Sequence, residues 1–540
     1  MESPKRNLSD EALTKAIDAL LKKAYKRTEP GAAVLVARKG RGIFRKAYGM
    51  ADLELGVPMQ PNMVFRLGSI TKQFTAVAIL MLAEQGKLAL SDEITVFLPD
   101  YPTHGHKITI EHLLTHTSGI KSYTDMPEWF PLWRKDLTVQ ELIDMFKNQP
   151  MDFAPGERWK YSNSGYILLG TIIEKASGKP YPQFVQEHIF KPLGMKHSGY
   201  DDSARIIPRR VHGYSKGTDS YINAPYLSMT QPYAAGALIS SVDDLAIWDK
   251  SLYINKLLRP ETLQRAFQPY RLADGQSTAY GYGWAITSYE GHTFVEHGGG
   301  INGFLGHALR IPQERIFVAI LTNRDSPLPM PDTLALKIAA LMIGQPYREP
   351  RAIALDPNMF DAYVGVYQVS DKPEWMISRE GDKLFAQPSG GSRAEIRSIS
   401  PAEFFVVSDS VTRLKFVRDA AGIVIAVEAR RRWGRVKTFA KADKLLPMAR
   451  QAIMLGPALY SRYVGKYELA PGVHLIISQE GNQLAAQVPG QDKVEIFPES
   501  ETLFFARAVD AQLEFLFESG GVVGLVLHQG KRELPAKKVK

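Results

Sequence analysis

The second half of this chain repeats itself, and the repeat limits what it can fold into. Tyr363-Val364-Gly365-Val366-Tyr367 returns as Tyr463-Val464-Gly465-Lys466-Tyr467 at an offset of 100 residues. Glu380-Gly381, Ala386-Gln387, Glu395-Ile396 and Phe404-Phe405 return at the same offset. So many matches at one spacing mark a duplicated unit. Each copy is written in short strand patterns broken by turns, which predicts a small closed antiparallel barrel over residues 352–447 and another over 455–540. The change of character follows Pro346 and Pro350, so residues 1–346 stand as a separate unit.

That first unit reads as α+β. A helix is predicted near residues 9–27, followed by a hairpin of Ala32–Ala37 and Gly42–Phe44. Strand patterns return late, at 282–287, 293–297, 306–311 and 316–321, with Pro312–Arg315 as a turn. A helix near 332–343 closes the unit. Short links imply antiparallel pairing, so both ends of the unit build one sheet, flanked by terminal helices, with a helix-rich region between them.

Ser69-Ile70-Thr71-Lys72 opens the most apolar helical pattern in the chain. Phe74, Val77, Ala78, Met81 and Leu82 share one helical face, Ala76, Ile79 and Leu80 make the other face apolar as well, and Gly86 is the stop. Such a helix is buried all round. Ser69 at its start meets unpaired N–H groups and the positive end of the helix dipole. Lys72 lies one turn on, with its amine beside the hydroxyl. Burial lowers the pKa of an amine, and a neutral amine can take a serine proton. A second S-x-x-K, Ser118-Gly119-Ile120-Lys121, lies in a turn-like stretch where no helix would stack the two side chains.

Two further segments carry chemistry-bearing residues. Tyr161-Ser162-Asn163 enters a second apolar helix, Tyr166 to Ala176, stopped by Gly178. In an extended loop, residues i and i+2 point the same way, presenting a phenol and an amide together. A nearby ammonium would lower the pKa of the phenol. The alternatives are a core tyrosine and an asparagine that only caps the helix. Phe294-Val295-Glu296-His297 is a strand pattern running into Gly298-Gly299-Gly300. The glycines would admit a substrate backbone and leave N–H groups free to donate, and His297 would touch substrate or adjust the charge of the tyrosine. The alternative is a turn with a surface histidine.

The order S-x-x-K, Y-x-N, H-x-G resembles the penicillin-recognising serine hydrolases: class C β-lactamases, D-alanyl-D-alanine carboxypeptidases, D-aminopeptidases and related esterases. Ile110–Gly119, Phe190–Met195 and Ala234–Ser241 are similar to recurrent segments of that family, and the resemblance spans about residues 10–345. It implies a β-lactamase-like fold with Ser69 as nucleophile, Lys72 as its proton partner, Tyr161 as general base and acid, and Asn163 as a substrate-side amide. His297 would stand at the third motif, with Gly298, Gly299 and Gly300 along the substrate and an oxyanion hole from the N–H groups of Ser69 and Gly300. β-Lactamases and carboxypeptidases usually carry lysine where this chain has His297, which favours the D-aminopeptidase and esterase branches. The two C-terminal units resemble the lipocalin-like barrels that follow the catalytic domain in D-aminopeptidases. The expected function is a serine acyl-transfer hydrolase of small amides, peptides or esters. The alternatives are a β-lactamase or carboxypeptidase, and a sensor or scaffold that acylates without turnover.

Composition excludes little more. With no cysteine there is no disulfide and no thiol chemistry. The net charge of +9 is spread over both halves, and Arg430-Arg431-Arg432 reads as a solvated strand edge, so no nucleic-acid partner is expected. His104, His106, His112 and His116 offer a competing zinc reading, with His112 and His116 at i, i+4, but no H-E-x-x-H or carboxylate completes a set. No cofactor or metal is expected, and the partners are a small-molecule or peptide substrate and a second copy in a homo-oligomer. No stretch reaches membrane-spanning length and Met1–Arg6 lacks an apolar leader. The chain as written reads as cytoplasmic, or as periplasmic or secreted if a signal has been removed.

Overall fold

The computed structural model describes residues 9–539 except 218–219, 326–328, 370–371, 389–392, 431–435, 444–451, 454, 471, 482, 490–492, 507–508, 510, 519 and 530–531. Arg431 and Arg432 of the basic run lie outside the described residues, as does the start of the chain. The chain forms two compact units, the first built from residues up to Ser215 and from Asn223 to Tyr347.

The core of the first unit is a six-stranded antiparallel sheet. Its strands are β1 (Ala32–Arg38), β2 (Arg41–Tyr48), β3 (Ala285–Tyr289), β4 (His292–Ile301), β5 (Phe304–Ile311) and β6 (Ile316–Thr322), in the order β3-β4-β5-β6-β1-β2. The two ends of the unit meet where β1 pairs with β6, from Ala32 opposite Thr322 to Arg38 opposite Ile316. β6 is buried at every residue and β1 at all but its last, so both read as unbroken apolar runs and not as alternation.

The helices that position the site are α1 (Asp10–Ala24), α2 (Thr71–Glu84), α3 (Ile110–Leu114), α4 (Asn163–Ser177) and α5 (Pro331–Met342). In α1 the Ser9 hydroxyl caps the helix by accepting the Ala12 N–H at 3.2 Å, and Leu13, Ile17 and Leu21 bury one face. α1 packs against β2 and α5, and α5 against β5 and β6. α2 is buried at every residue from Thr71 to Leu80 and again at Leu82, and α4 lies beside it. α4 is capped by Ser162 and ends at Gly178, whose φ of 71° closes the helix in the left-handed region. No helix among the described residues is long and apolar enough to cross a membrane.

The second unit contains two closed barrels of eight antiparallel strands. In the first, Gly365–Val369 closes on Lys437–Lys441; in the second, Gly465–Ala470 closes on Arg532–Val539. The repeat persists in hydrogen bonds. Tyr363 Oη donates to Pro401 O at 2.6 Å and Tyr463 Oη to Glu501 O at 2.7 Å. Tyr367 and Tyr467 each donate to the carbonyl four residues back at 2.6 Å. Lys441 and Lys538 each reach a carbonyl before the first strand, Ala362 O and Arg462 O, at 2.8 Å. Both interiors are packed with aromatic and aliphatic side chains, around Phe404 and Phe416 in the first barrel and Phe504 and Phe515 in the second.

Candidate active site

Gly68–Ile70 form a single 3-10 turn that runs straight into α2, so Ser69 stands just ahead of the helix and Lys72 one turn inside it. Gly68 takes a φ of 52°, and a side chain there would meet Gly300 N at 2.8 Å. A side chain on Gly299 would overlap the Leu67 carbonyl oxygen. Gly299 therefore makes room for the turn that carries Ser69, where the sequence suggested room for a substrate backbone. Gly300 has open space apart from Leu305.

Lys72 Nζ lies 3.2 Å from Ser69 Oγ, 2.8 Å from Asn163 Oδ1 and 2.8 Å from Ala235 O. It is completely buried, and desolvation holds its pKa well below the ordinary 10.5. Its three neighbours, Ser69 Oγ, Asn163 Oδ1 and Ala235 O, all accept from it. Asn163 is held in the matching orientation, because its Nδ2 donates to Thr124 Oγ1 at 3.0 Å and its backbone N–H to Ser122 Oγ at 3.0 Å. The helix cap is Ser162, not Asn163. Ser118 has no such setting: it lies in a loop, and its Oγ accepts the Ile120 N–H at 3.3 Å.

Ser162 is extended (φ −136°, ψ 116°), so Tyr161 and Asn163 both face Lys72. The lysine nitrogen sits 4.8 Å from the centre of the Tyr161 ring. The expectation that an ammonium would lower the tyrosine pKa is corrected here. Lys72 lies over the ring face, and burial raises the Tyr161 pKa against the opposing effect of Ser69. The Tyr161 hydroxyl is buried without a partner in good hydrogen-bonding geometry. It is therefore a protonated donor at neutral pH.

His297 is 4% exposed. Its Nδ1–H donates to Gly298 O at 2.6 Å, because a carbonyl can only accept, so Nε2 accepts from Tyr280 Oη at 2.9 Å. Burial, reinforced by Lys72, pulls its pKa down to about 3. The third motif thus carries no positive charge. On the opposite face of β4, buried Glu296 accepts from Thr287 and lies 2.8 Å from His307 Nε2.

Three residues that the sequence reading did not place at the site surround this centre. His116 is buried at a φ of 59°, its Nδ1 accepts the Ser162 N–H at 3.2 Å, and its ring lies 4.3 Å from that of Tyr161. Burial and the charge it would share with Lys72 hold its pKa well below 6.5. Tyr280 and Tyr166 complete the buried wall, with Tyr166 Oη donating to Leu114 O at 3.0 Å. His116 falls in the recurrent Ile110–Gly119 segment, and the sequence otherwise offered it only as a zinc ligand beside His112. His112 instead serves the cap of α3, its Nδ1 accepting the Thr109 N–H. Among the described residues, no group of His, Asp and Glu is placed to hold a metal ion.

The cleft in front of Ser69 has a volume of about 120 Å³ and is walled by Tyr123, Trp129, Leu227, Asn163, Gly300 and Asn302. A depression of about 600 Å³ lies on the second barrel beside Val464 and Ile476.

A serine at the head of a helix beside a buried lysine of lowered pKa, next to an antiparallel sheet, is the machinery of a serine hydrolase. The chain belongs to the β-lactamase family, whose model matches residues 13–342. A second model, described as a domain of unknown function (DUF3471), matches residues 449–538, the region of the second barrel. The chain is 31% identical to penicillin-binding protein 4* of Bacillus subtilis (strain 168) over 402 residues, covering 70% of this chain and 88% of that protein. It is 27% identical to a D-aminopeptidase of Gluconobacter oxydans (strain 621H) over 341 residues, covering 62% of this chain and 63% of that one. Among solved structures it is similar to an octameric penicillin-binding protein homologue from Pyrococcus abyssi, with a TM-score of 0.57 at 26% identity, covering 80% of this chain and 100% of that chain.

Proposed function

We propose that the protein hydrolyses small amides, short peptides with a D-residue on the acyl side, or esters, through an acyl intermediate on Ser69. The observation that carries this reading is the fully buried Lys72 amine, 3.2 Å from Ser69 Oγ and held by Asn163 Oδ1 and Ala235 O, with desolvation lowering its pKa toward the neutral form that can take the serine proton. As Oγ attacks the carbonyl carbon, its proton passes to Lys72 Nζ. The negative charge growing on the carbonyl oxygen is met by the N–H groups of Ser69 and Gly300. Tyr161 Oη–H donates its proton to the leaving nitrogen or oxygen, and Lys72 returns the proton to Tyr161. Water then attacks the acyl carbon, its proton is taken by the same pair, and Ser69 leaves with a proton restored.

His297 adds no cation, so a carboxylate set directly beside the scissile bond gains no charge-assisted contact there, and amides and esters lacking one are favoured over β-lactams. The aromatic wall of Tyr123 and Trp129 suits an apolar acyl side chain. Support for the D-configuration is the D-aminopeptidase relative. The test is a panel of D- and L-amino-acid amides, short-chain esters and a chromogenic cephalosporin, with labelling by a serine-reactive phosphonate. Ser69→Ala is expected to lose turnover and label while staying folded; label on Ser118, or activity in Ser69→Ala, refutes the assignment. The relative named as a penicillin-binding protein favours a second reading, acylation by β-lactams without turnover. A stoichiometric burst with the cephalosporin and no turnover of any amide or ester would select it.

A further inference from the structure

A second cavity, of about 240 Å³, adjoins the catalytic cleft, and Asn302 lines both. Two arginines line it, Arg66 and Arg210, and both pair with one buried carboxylate behind them, Asp201. Arg66 Nε donates to Asp201 Oδ2 at 2.7 Å, and an Nη of Arg210 pairs with the other oxygen, Oδ1. Asp201 is fully shielded from solvent, whereas the Arg66 and Arg210 side chains keep 18% and 30% exposure toward the cavity. Two guanidinium groups against one carboxylate leave a net positive charge. Each is a fork of several N–H donors that uses one on Asp201. The excess is felt locally: besides burial, the charge of Arg66 lowers the pKa of Arg210. Tyr226 also lines the cavity and carries Arg134 over its ring at 5.7 Å.

Arg210, 30% exposed, lines a cavity that shares Asn302 with the cleft. Arg66 precedes Ser69 by three residues, so their Cα atoms are at most about 10 Å apart, the length of roughly three extended residues. Planar forked donors suit a carboxylate.

We propose that Arg66 and Arg210 form a carboxylate subsite of the substrate-binding cleft, one that selects peptides whose free C-terminus lies about two residues from the scissile bond. This rests on the hydrolase reading above and sharpens it: a cation absent at His297 is supplied further along the cleft, so short peptides are preferred over simple amides.

The experiment compares D-Phe-Gly and D-Phe-Gly-Gly with their C-terminally amidated forms. In the wild-type enzyme the free acid of the longer peptide is expected to exceed its amide in kcat/KM by about tenfold or more, mostly through KM. Arg210→Gln, which leaves the Arg66–Asp201 pair in place, should bring that ratio toward one, and Arg210→Lys should keep most of it. A ratio near one in the wild type, or a ratio untouched in Arg210→Gln, overturns the subsite. If no amide, peptide or ester is turned over, the hydrolase reading fails on its own. The subsite is then judged by calorimetric binding of the acid and amidated peptides to Ser69→Ala, where equal affinities overturn it. Should Arg210→Gln not fold, the acid-to-amide ratio in the wild type decides alone.

Discussion

Gly299→Ala should disable the enzyme without touching any group that moves a proton. The new Cβ would overlap the Leu67 carbonyl oxygen and lie 3.2 Å from Ile70 N, both parts of the turn that carries Ser69. Backbone on both sides leaves no flexible side chain to yield, so β4 and the turn must separate by more than about 1 Å, and a misplacement of that size costs about 10²-fold in rate. The same overpacking costs about 1–3 kcal/mol of stability, a fall of several degrees in Tm. Gly300→Ala is the internal control for stability, since its Cβ meets only the end of the flexible Leu305 side chain at 3.3 Å, and Tm should barely move. The assay pairs the second-order rate of phosphonate acylation with differential scanning calorimetry. Acylation within threefold of wild type in Gly299→Ala, at unchanged Tm, would show that the close contact between β4 and the turn does not set the reacting geometry.

Lys72→Met should abolish turnover yet raise Tm at pH 7. The folded pKa of Lys72 lies well below its unfolded value near 10.5, so between the two the unfolded state binds more protons and stability rises with pH; the gain in the variant therefore shrinks as pH approaches 10.5. His297 works the same way at lower pH: with a folded pKa of about 3 and an unfolded value near 6.5, its contribution to stability is lost as pH falls from 6.5 toward 3. His297→Gln should accordingly move the acid-unfolding midpoint, followed by circular dichroism, to lower pH. Tyr363→Phe and Tyr463→Phe each remove one matched hydrogen bond and should each cost about 0.5–1.5 kcal/mol in denaturant titrations; a large loss in one barrel and none in the other would show that the two copies are not equivalent in energy.

What was legible in the sequence was what lies close along the chain. Ser69 and Lys72 are one helical turn apart, Tyr161 and Asn163 share an extended tripeptide, and the barrel repeat keeps one offset from Tyr363 to Phe405, so spacing alone exposed them. The buried wall was not legible, because His116, Tyr166 and Tyr280 come from a turn, a helix and an isolated β-bridge that meet only after folding. The Arg66–Asp201–Arg210 cluster escaped for the same reason. One sequence reading failed on sign: Tyr161 was expected to have its pKa lowered by a nearby ammonium, but burial raises it. On its Cβ side Gly299 also makes room for the chain's own Leu67, a contact that spacing did not show.

The barrels bring a hazard of their own. Their strands follow one another in the same order with the same core tyrosines, so a strand from one copy finds a nearly native seat in the other while the chain is still assembling. A hybrid, with early strands of the first barrel closed by late strands of the second, would satisfy most of the tyrosine and lysine bonds and trap the chain. Divergence of the outward-facing positions does not guard against this, since those side chains do not enter the core. Protection rests on speed: each barrel must close its own first and last strands before its neighbour's become available.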